Sequence, residues 1–208
     1  MSSATPRRPT DVETTTLDLT PQTDEVARLV AAVRDDQLAG PTPDEGTTVA
    51  GLLDHLVGLT TAFTMGARKQ PLDGGGPRWS ADRLAADWRT RLPRQLAELA
   101  AAWRDPAAWN GETEVGGARL PGTVMGVVAA DEVLVHGWDL AVATGQDYRA
   151  DPGVAAAVLH QVTMLDQPGM EELRNGQFGP VVPVPDQAPV LDRILGLTGR
   201  DPSWRPPG

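Results

Sequence analysis

The chain has 208 residues, which is long enough for one domain with a full hydrophobic core. Its 28 acidic and 18 basic residues give a formal net charge of −10, so nucleic acid is a poor partner for its surface. It contains no cysteine, which excludes disulfides, thiolate metal sites and cysteine nucleophiles; any metal must therefore be held by nitrogen and oxygen ligands.

Residues 1–20 are rich in threonine, serine, proline and charge, and they hold too few apolar side chains to offset the entropy cost of ordering. The sequence predicts a disordered or loosely draped arm here. No apolar run reaches the roughly 18 residues that a membrane helix needs, and the start of the chain lacks the apolar core of a signal peptide. We therefore expect a soluble, cytoplasmic protein with no membrane partner.

Two amphipathic helices are predicted after the arm. The first begins with Thr23 as its N-cap and ends before Gly40, since apolar residues recur at helical spacing between them. The second is capped at residues 47–48 and ends near Lys69. His55 lies in the middle of this second helix, beside its apolar stripe.

A third helix is predicted over residues 81–104, with Ser80 as its N-cap and leucine and tryptophan side chains at helical spacing. The glycine-rich stretch at 73–77 lacks a phosphate-binding motif and is interpreted as a flexible connection. Residues 109–120 are interpreted as a loop or a short hairpin, because glycines are interspersed among polar residues. A fourth helix is predicted over residues 123–144.

This fourth helix carries three groups able to bind a metal or to move a proton. Glu132, His136 and Asp139 stand at positions i, i+4 and i+7, within roughly 60° of one another around a helix. Their neighbours are apolar nearly all round, so most of the helix is expected to be buried, and buried charge is costly unless it is paired or coordinated. Mutual hydrogen bonding of His136 and Asp139 is the simple interpretation, and metal binding is the functional one.

The C-terminal part is predicted to hold a fifth helix over about 151–166, which carries His160, then a run rich in proline and glycine, and a last helix over 186–197. The predicted fold is all-α: a four-helix bundle at 21–145 with a small helical and irregular C-terminal addition at 146–208 packed on it. Strand content should be slight.

Metal sites in helix bundles are built from side chains on facing helices. His55 is the natural candidate to face Glu132 and His136, although a lone histidine near a core is more often hydrogen-bonded than metal-bound. Two of the three histidines lie mid-helix with apolar flanks, and one has a carboxylate a turn earlier. This pattern favours a divalent metal site.

The sequence also resembles a known family. The runs at 51–57 (GLLDHLV) and 131–141 (DEVLVHGWDLA), with further similarity at 178–185 and 191–202, look like the DinB-like metal-binding four-helix bundles. Within these, the chain is most similar to the actinobacterial group around mycothiol-dependent maleylpyruvate isomerases. The resemblance implies a divalent ion held by His55, Glu132 and His136, with an open coordination position of the kind found in catalytic sites.

The chain departs from the family in two places. Members often carry a Thr-Pro-Cys-x-x-Trp signature before the second helix, whereas residues 42–47 read TPDEGT, so the pocket mouth is expected to differ. The isomerases also carry a further α/β domain, and about 60 residues after Gly145 are too few for its full version. The identity of the substrate is therefore left open.

Three functions agree with these features. The first is an enzyme that uses a low-molecular-weight thiol, mycothiol in an actinobacterial source, for transfer to or isomerisation of a small electrophilic substrate, with zinc holding the thiol as thiolate. Asp139 would then orient His136 or act as a base, and Asp54 would face solvent. The second is a metal-dependent hydrolase of an amide or ester, with Glu132 or Asp139 as general base. The third is a non-catalytic bundle that binds a small molecule or metal.

His160 is predicted to be dispensable in each of these, since it lies outside the matched runs. The oligomeric state stays open, with a homodimer as one alternative.

Overall fold

A computed structural model describes residues 16–70, 80–175 and 177–207. The helices in these ranges are α1 (Thr20–Ala32), α2 (Val49–Ala67), α3 (Trp88–Trp103), α4 (Pro106–Trp109), α5 (Gly122–Thr144), α6 (Pro152–Leu165), α7 (Glu171–Asn175) and α8 (Val190–Leu197). Two strands, β1 (Glu112–Val115) and β2 (Ala118–Pro121), form an antiparallel pair. The predicted all-α class is therefore confirmed, with a single small hairpin in the described residues.

Four helices, α1, α2, α3 and α5, form the bundle: α2 packs against α3 and α5, and α1 packs against the same two helices. Each contributes one apolar face to a common core, because its leucines and valines recur every three or four residues. Fully buried members of this core are Leu29, Leu52, Leu53, Leu56, Leu92, Leu96, Leu99, Trp103 and Leu134.

The first helix begins earlier than the sequence predicted. It starts at Thr20, three residues before the expected cap at Thr23, and Pro21 lies in its first turn, where proline needs no hydrogen-bond partner. Asp18 accepts a hydrogen bond from the Thr20 backbone N–H, and Leu19 is 1% exposed. The core therefore begins inside the segment predicted as an arm, whose residues 1–15 lie outside the described ranges.

The third helix begins later than predicted. Ser80 does not cap it; the Ser80 backbone N–H donates instead to Asp54 Oδ2 at 3.0 Å, and a single 3₁₀ turn over Ala81–Arg83 follows. The α-helical backbone starts only at Trp88. Residues 73–77, interpreted as a flexible connection, lie outside the described part of the chain.

The hairpin turn lies at Gly116 and Gly117, whose φ angles of 61° and 85° suit the left-handed backbone of a tight two-residue turn. Its first strand rests on the end of α2, where Thr113 Oγ1 donates to the Gly66 carbonyl. Of the two sequence interpretations for this segment, the hairpin is the one observed.

The segment after Gly145 packs through α6 onto α5, and α8 packs onto α6. Asp151 caps α6, as its side chain accepts hydrogen bonds from the N–H groups of Gly153 and Val154. The last helix begins at Val190 and not at residue 186, because proline at 189 disfavours helical backbone in the residue before it.

One described helix, α2, is long and apolar enough to cross a membrane by length and composition alone. About two-thirds (67%) of the apolar stretch of α2 is buried inside the protein, as expected of a core helix in a bundle.

Candidate metal centre

The three side chains predicted as metal ligands meet at one place between α2 and α5. The Nε2 atom of His55 lies 3.4 Å from Oε2 of Glu132, and the Nε2 atom of His136 lies 3.2 Å from the same oxygen. One ligand atom from each residue falls within 4.8 Å of the others. The two helices thus bring together the residues that the sequence separates by 77 positions, from 55 to 132.

The helices themselves set this geometry. Glu132 and His136 stand one turn apart on α5, so their side chains project in the same direction. His55 is held opposite them because Leu52 and Leu56 on either side of it are buried in the bundle core. The side chains of His55, Glu132 and His136 keep 24%, 30% and 13% of their surface exposed, so a small molecule can reach the cluster.

The donor set fits a divalent ion. A tetrahedral ion with bonds of about 2.0–2.1 Å separates its ligands by about 3.3–3.4 Å, close to the two distances from Glu132 Oε2. That oxygen is buried, and its polar neighbours are the two imidazole Nε2 atoms at 3.4 and 3.2 Å. Burying a carboxylate oxygen costs free energy, and a cation bound between this oxygen and the two imidazoles would compensate that cost. Two imidazoles and one carboxylate also leave a coordination position open.

Asp139 holds the imidazole of His136 from the other side. Its Oδ2 lies 3.0 Å from His136 Nδ1, and its side chain is completely buried. A proton on Nδ1 that is donated to this carboxylate leaves the lone pair of Nε2 directed toward Glu132. Asp139 therefore fixes the orientation of the His136 imidazole within the cluster.

Arg200 completes the arrangement, although it was not predicted as a site residue from the sequence. It follows α8, and its Nη2 lies 3.3 Å from Asp139 Oδ2 and 3.3 Å from Asp44 Oδ1. A fully buried carboxylate such as Asp139 needs a cationic partner, which Arg200 supplies. Arg200 lies in the stretch at 191–202 that resembles the family. This was only weak evidence for a role in the site, because nothing in that stretch shows which helix the Arg200 side chain contacts.

The charges of the site are strongly coupled. Burial alone would raise the pKa of Glu132, but the hydrogen bonds and charges of His136 and His55 outweigh it and hold that pKa well below its usual range. Burial alone would lower the pKa of His136, but Asp139 and Glu132 raise it to about 10. Burial, with the nearby Glu132 charge, raises the pKa of Asp131 to about 7.

Two other candidates lie elsewhere. Asp54 was predicted to face solvent, but it is half-buried and accepts the Ser80 N–H described above, so that prediction is wrong. His160 is exposed on α6 and is not part of the cluster.

Metal affinity should depend on pH through His136. Without metal this imidazole is protonated at neutral pH, since its pKa is raised to about 10, and an ion can bind Nε2 only by displacing that proton. Affinity should therefore rise with pH below 10, by up to about tenfold per pH unit. Chelator competition at pH 6.5, 7.5 and 8.5, corrected for chelator protonation, would measure this. An affinity that does not change over this range would contradict it.

Replacement of His160 with alanine should leave metal content and affinity unchanged, because the side chain is exposed and lies outside the cluster. Elemental analysis of the purified variant after metal loading and desalting is the measurement. Loss of the metal from this variant would show that the ligand set has been misidentified.

Comparison with known proteins places this geometry in context. Residues 19–141 match the family described as the mycothiol maleylpyruvate isomerase N-terminal domain. This match spans more than half of the chain and includes both α2 and α5, which carry the His55, Glu132 and His136 cluster.

Among curated proteins, the chain is 29% identical over 182 residues to uncharacterized protein Rv0738 of Mycobacterium tuberculosis (strain ATCC 25618 / H37Rv), covering 85% of this chain and 92% of that one. The uncharacterized protein MT0763 of the CDC 1551 / Oshkosh strain matches equally.

Among solved structures, the crystal structure of the mycothiol-dependent maleylpyruvate isomerase aligns with a TM-score of 0.53 at 17% identity, over 69% of this chain and 66% of that chain. A histidine-to-alanine mutant of the mycothiol-dependent maleylpyruvate isomerase aligns with a TM-score of 0.55 at 14% identity, over 89% and 78%. At these identities the likeness establishes the shared fold.

Proposed function

The chain belongs to the family of the mycothiol maleylpyruvate isomerase N-terminal domain, and on this premise we propose that it is a metal-dependent enzyme that uses a low-molecular-weight thiol. The thiol would serve to isomerise, or be transferred to, a small electrophilic molecule. The observation that carries the proposal is the convergence of His55, Glu132 and His136 on one point that solvent can reach. The absence of cysteine agrees with it, since the reacting sulfur must then come from a cosubstrate.

The chemistry that a bound divalent ion supplies is Lewis acidity, which keeps a coordinated thiol deprotonated near neutral pH. His55, Glu132 and His136 would hold that ion. The carboxylate of Glu132 lowers the positive charge of the site by one unit relative to three histidines, which favours a more nucleophilic sulfur. Asp139 orients His136, and Arg200 compensates the buried charge of Asp139.

In this proposal the ion is zinc, which nitrogen and oxygen donors of this kind suit, and the thiol is mycothiol. The family and the mycobacterial relatives support this choice of thiol. The enzyme would act in the cytoplasm on a small molecule, without nucleic acid or membrane as a partner, as the charge of −10 favours.

The proposal is tested by incubating the zinc-loaded protein with monobromobimane, an uncharged electrophile, with and without mycothiol. Catalysed turnover above the background reaction should require metal and thiol together, and it should disappear in His136→Ala but not in His160→Ala. Metal-dependent hydrolysis of an amide or ester probe without any thiol would support the hydrolase hypothesis instead. A protein that binds metal but shows no turnover with any thiol would support the binding bundle.

A further inference from the structure

The backbone around Arg200 is fixed by the way in which α8 ends. The N–H groups of Gly199 and Arg200 donate to the carbonyls of Gly196 and Leu195 at 3.2 and 2.7 Å, which is the Schellman pattern of a glycine C-cap. Gly199 takes a φ of 83°, and a Cβ at this position would lie 3.0 Å from the Gly179 backbone. The packing of α8 therefore sets the point from which the Arg200 side chain extends.

The side chain of Arg200 reaches from this end of α8 to the Nδ1 side of the metal centre. Its Nη2 lies 3.3 Å from Asp139 Oδ2, and the same oxygen lies 3.0 Å from His136 Nδ1. Asp139 Oδ1 has no hydrogen-bond partner among the described residues, so Oδ2 carries both contacts. The buried Asp139 carboxylate is thus held between the imidazole of a candidate ligand and the guanidinium group of Arg200.

The same nitrogen of Arg200 also contacts the loop that leads into α2. Nη2 lies 3.3 Å from Asp44 Oδ1. This loop ends at Thr48, which caps α2, the helix that carries His55. Arg200 therefore joins the two parts of the chain that supply the ligands, α5 through Asp139 and the entry to α2 through Asp44.

We propose that Arg200 is a positioning residue of the metal centre, and that it couples metal binding to the packing of the α8 segment (residues 190–200) on the bundle. The inference rests on the proposed function, because it concerns the ligand set given there. A buried carboxylate that loses its cationic partner is unfavourable, so loss of Arg200 would draw Asp139 away from His136. His136 would then lose the hydrogen bond that orients it, and metal affinity would fall.

The coupling has to act in both directions. If the Arg200 contact raises the affinity for a metal ion by a given factor, the ion must favour the packed form of the α8 segment by the same factor. We expect a factor of about ten, the lower end of the range for a group that supports a metal-binding histidine. The segment then serves as part of the metal centre and not as an independent addition to the bundle.

The first test is the zinc affinity of Arg200 variants, measured by chelator competition. Arg200→Met keeps a long side chain but removes its charge and its donors, and it should lower the affinity about tenfold. Arg200→Lys should recover most of this loss, because one nitrogen makes both carboxylate contacts. Arg205→Gln is the matched control: Arg205 is exposed and donates to the neighbouring Trp204 carbonyl, so this variant should keep the affinity unchanged.

A double-mutant cycle with Asp139→Asn separates positioning from a general effect on the fold. If Arg200 acts through Asp139, adding Arg200→Met to Asp139→Asn should change the zinc affinity less than about twofold. Two independent structural effects would instead multiply, so the double variant would lose the full factor of each single variant.

The second test uses the unmodified protein, so it does not depend on the folding of any variant. Hydrogen exchange of the Gly199 and Arg200 amides should slow about tenfold when zinc is bound, because the ion favours the packed segment. The hairpin at 112–121 is the internal reference. It contacts α2 at Gly66, roughly three turns from His55, and its exchange should stay unchanged.

Five results would overturn the inference: unchanged zinc affinity in Arg200→Met, no recovery in Arg200→Lys, an equal loss in Arg205→Gln, full multiplication of effects in the double variant, or equal slowing of the hairpin and Gly199 amides. If one of these occurs while the protein binds zinc through His136 and shows thiol-dependent turnover, the inference fails and the proposed function stands. If His136→Ala retains the metal, the proposed function and the inference both fail.

Discussion

Replacement of His136 with alanine is expected to abolish metal binding and, with it, all thiol-dependent turnover. His136 Nε2 lies 3.2 Å from Glu132 Oε2, at the centre of the cluster, and two remaining ligands cannot hold a divalent ion tightly. Loss of a hydrogen-bond partner outside the ligand set already costs about 10- to 100-fold in affinity, so loss of a ligand should cost more than about 100-fold.

The measurement is metal content by elemental analysis after loading and desalting, with His160→Ala as the matched control. Both variants replace a helical histidine with a good helix former, so a difference between them reports the site and not the helix. Full metal occupancy in His136→Ala would contradict the assignment, provided that its thermal unfolding shows an intact fold.

Replacement of Asp139 with asparagine is the second large effect expected. The asparagine fills the same buried space, but it removes the charge that holds His136 Nδ1 and that pairs with Arg200. Metal affinity or turnover should fall about 10- to 100-fold, the usual range for a carboxylate that orients a metal-binding histidine.

Chelator competition gives the affinity of the Asp139→Asn protein, and Glu132→Gln serves as the reference for loss of a ligand. If Glu132→Gln loses the metal while Asp139→Asn keeps both affinity and turnover, Asp139 serves only the fold. If neither variant changes metal binding, the protein is a binding bundle without a metal centre at this place.

Two of the three candidate ligands could be predicted directly, because Glu132 and His136 are close together in the sequence. Glu132 and His136 stand at i and i+4 in a strongly apolar helix, and this spacing alone places them on one face. His55 could be identified as mid-helix from the apolar residues around it, but helical periodicity does not say which helices face one another. His55 was the natural candidate from its mid-helix position, the family resemblance implied the same ligand set, and the packing of α2 on α5 agrees with both.

Helix boundaries were less predictable, because tertiary contacts compete with capping preferences. Ser80 is a good N-cap by residue type, yet its backbone N–H bonds to Asp54 on another helix, and the regular helix begins eight residues later at Trp88. Thr23 was expected to cap α1, but Pro21 and the buried Leu19 extend the helix toward the N-terminus.

Arg200 and Asp44 could not be predicted to meet. They are 156 positions apart, one in a loop before α2 and the other after α8, and neither belongs to a periodic pattern. Only the folded structure shows that the guanidinium group of Arg200 contacts both Asp44 and Asp139. Ion pairs of this kind depend on how loops close over a core, which hydrophobic periodicity does not encode.

The most direct test of the metal centre is a crystal structure of the zinc-loaded protein with data collected on both sides of the zinc absorption edge. We predict one anomalous peak between α2 and α5, about 2.0–2.2 Å from an atom of each of His55, Glu132 and His136. An anomalous peak at other residues, or none at this cluster in fully loaded crystals, would contradict the assignment.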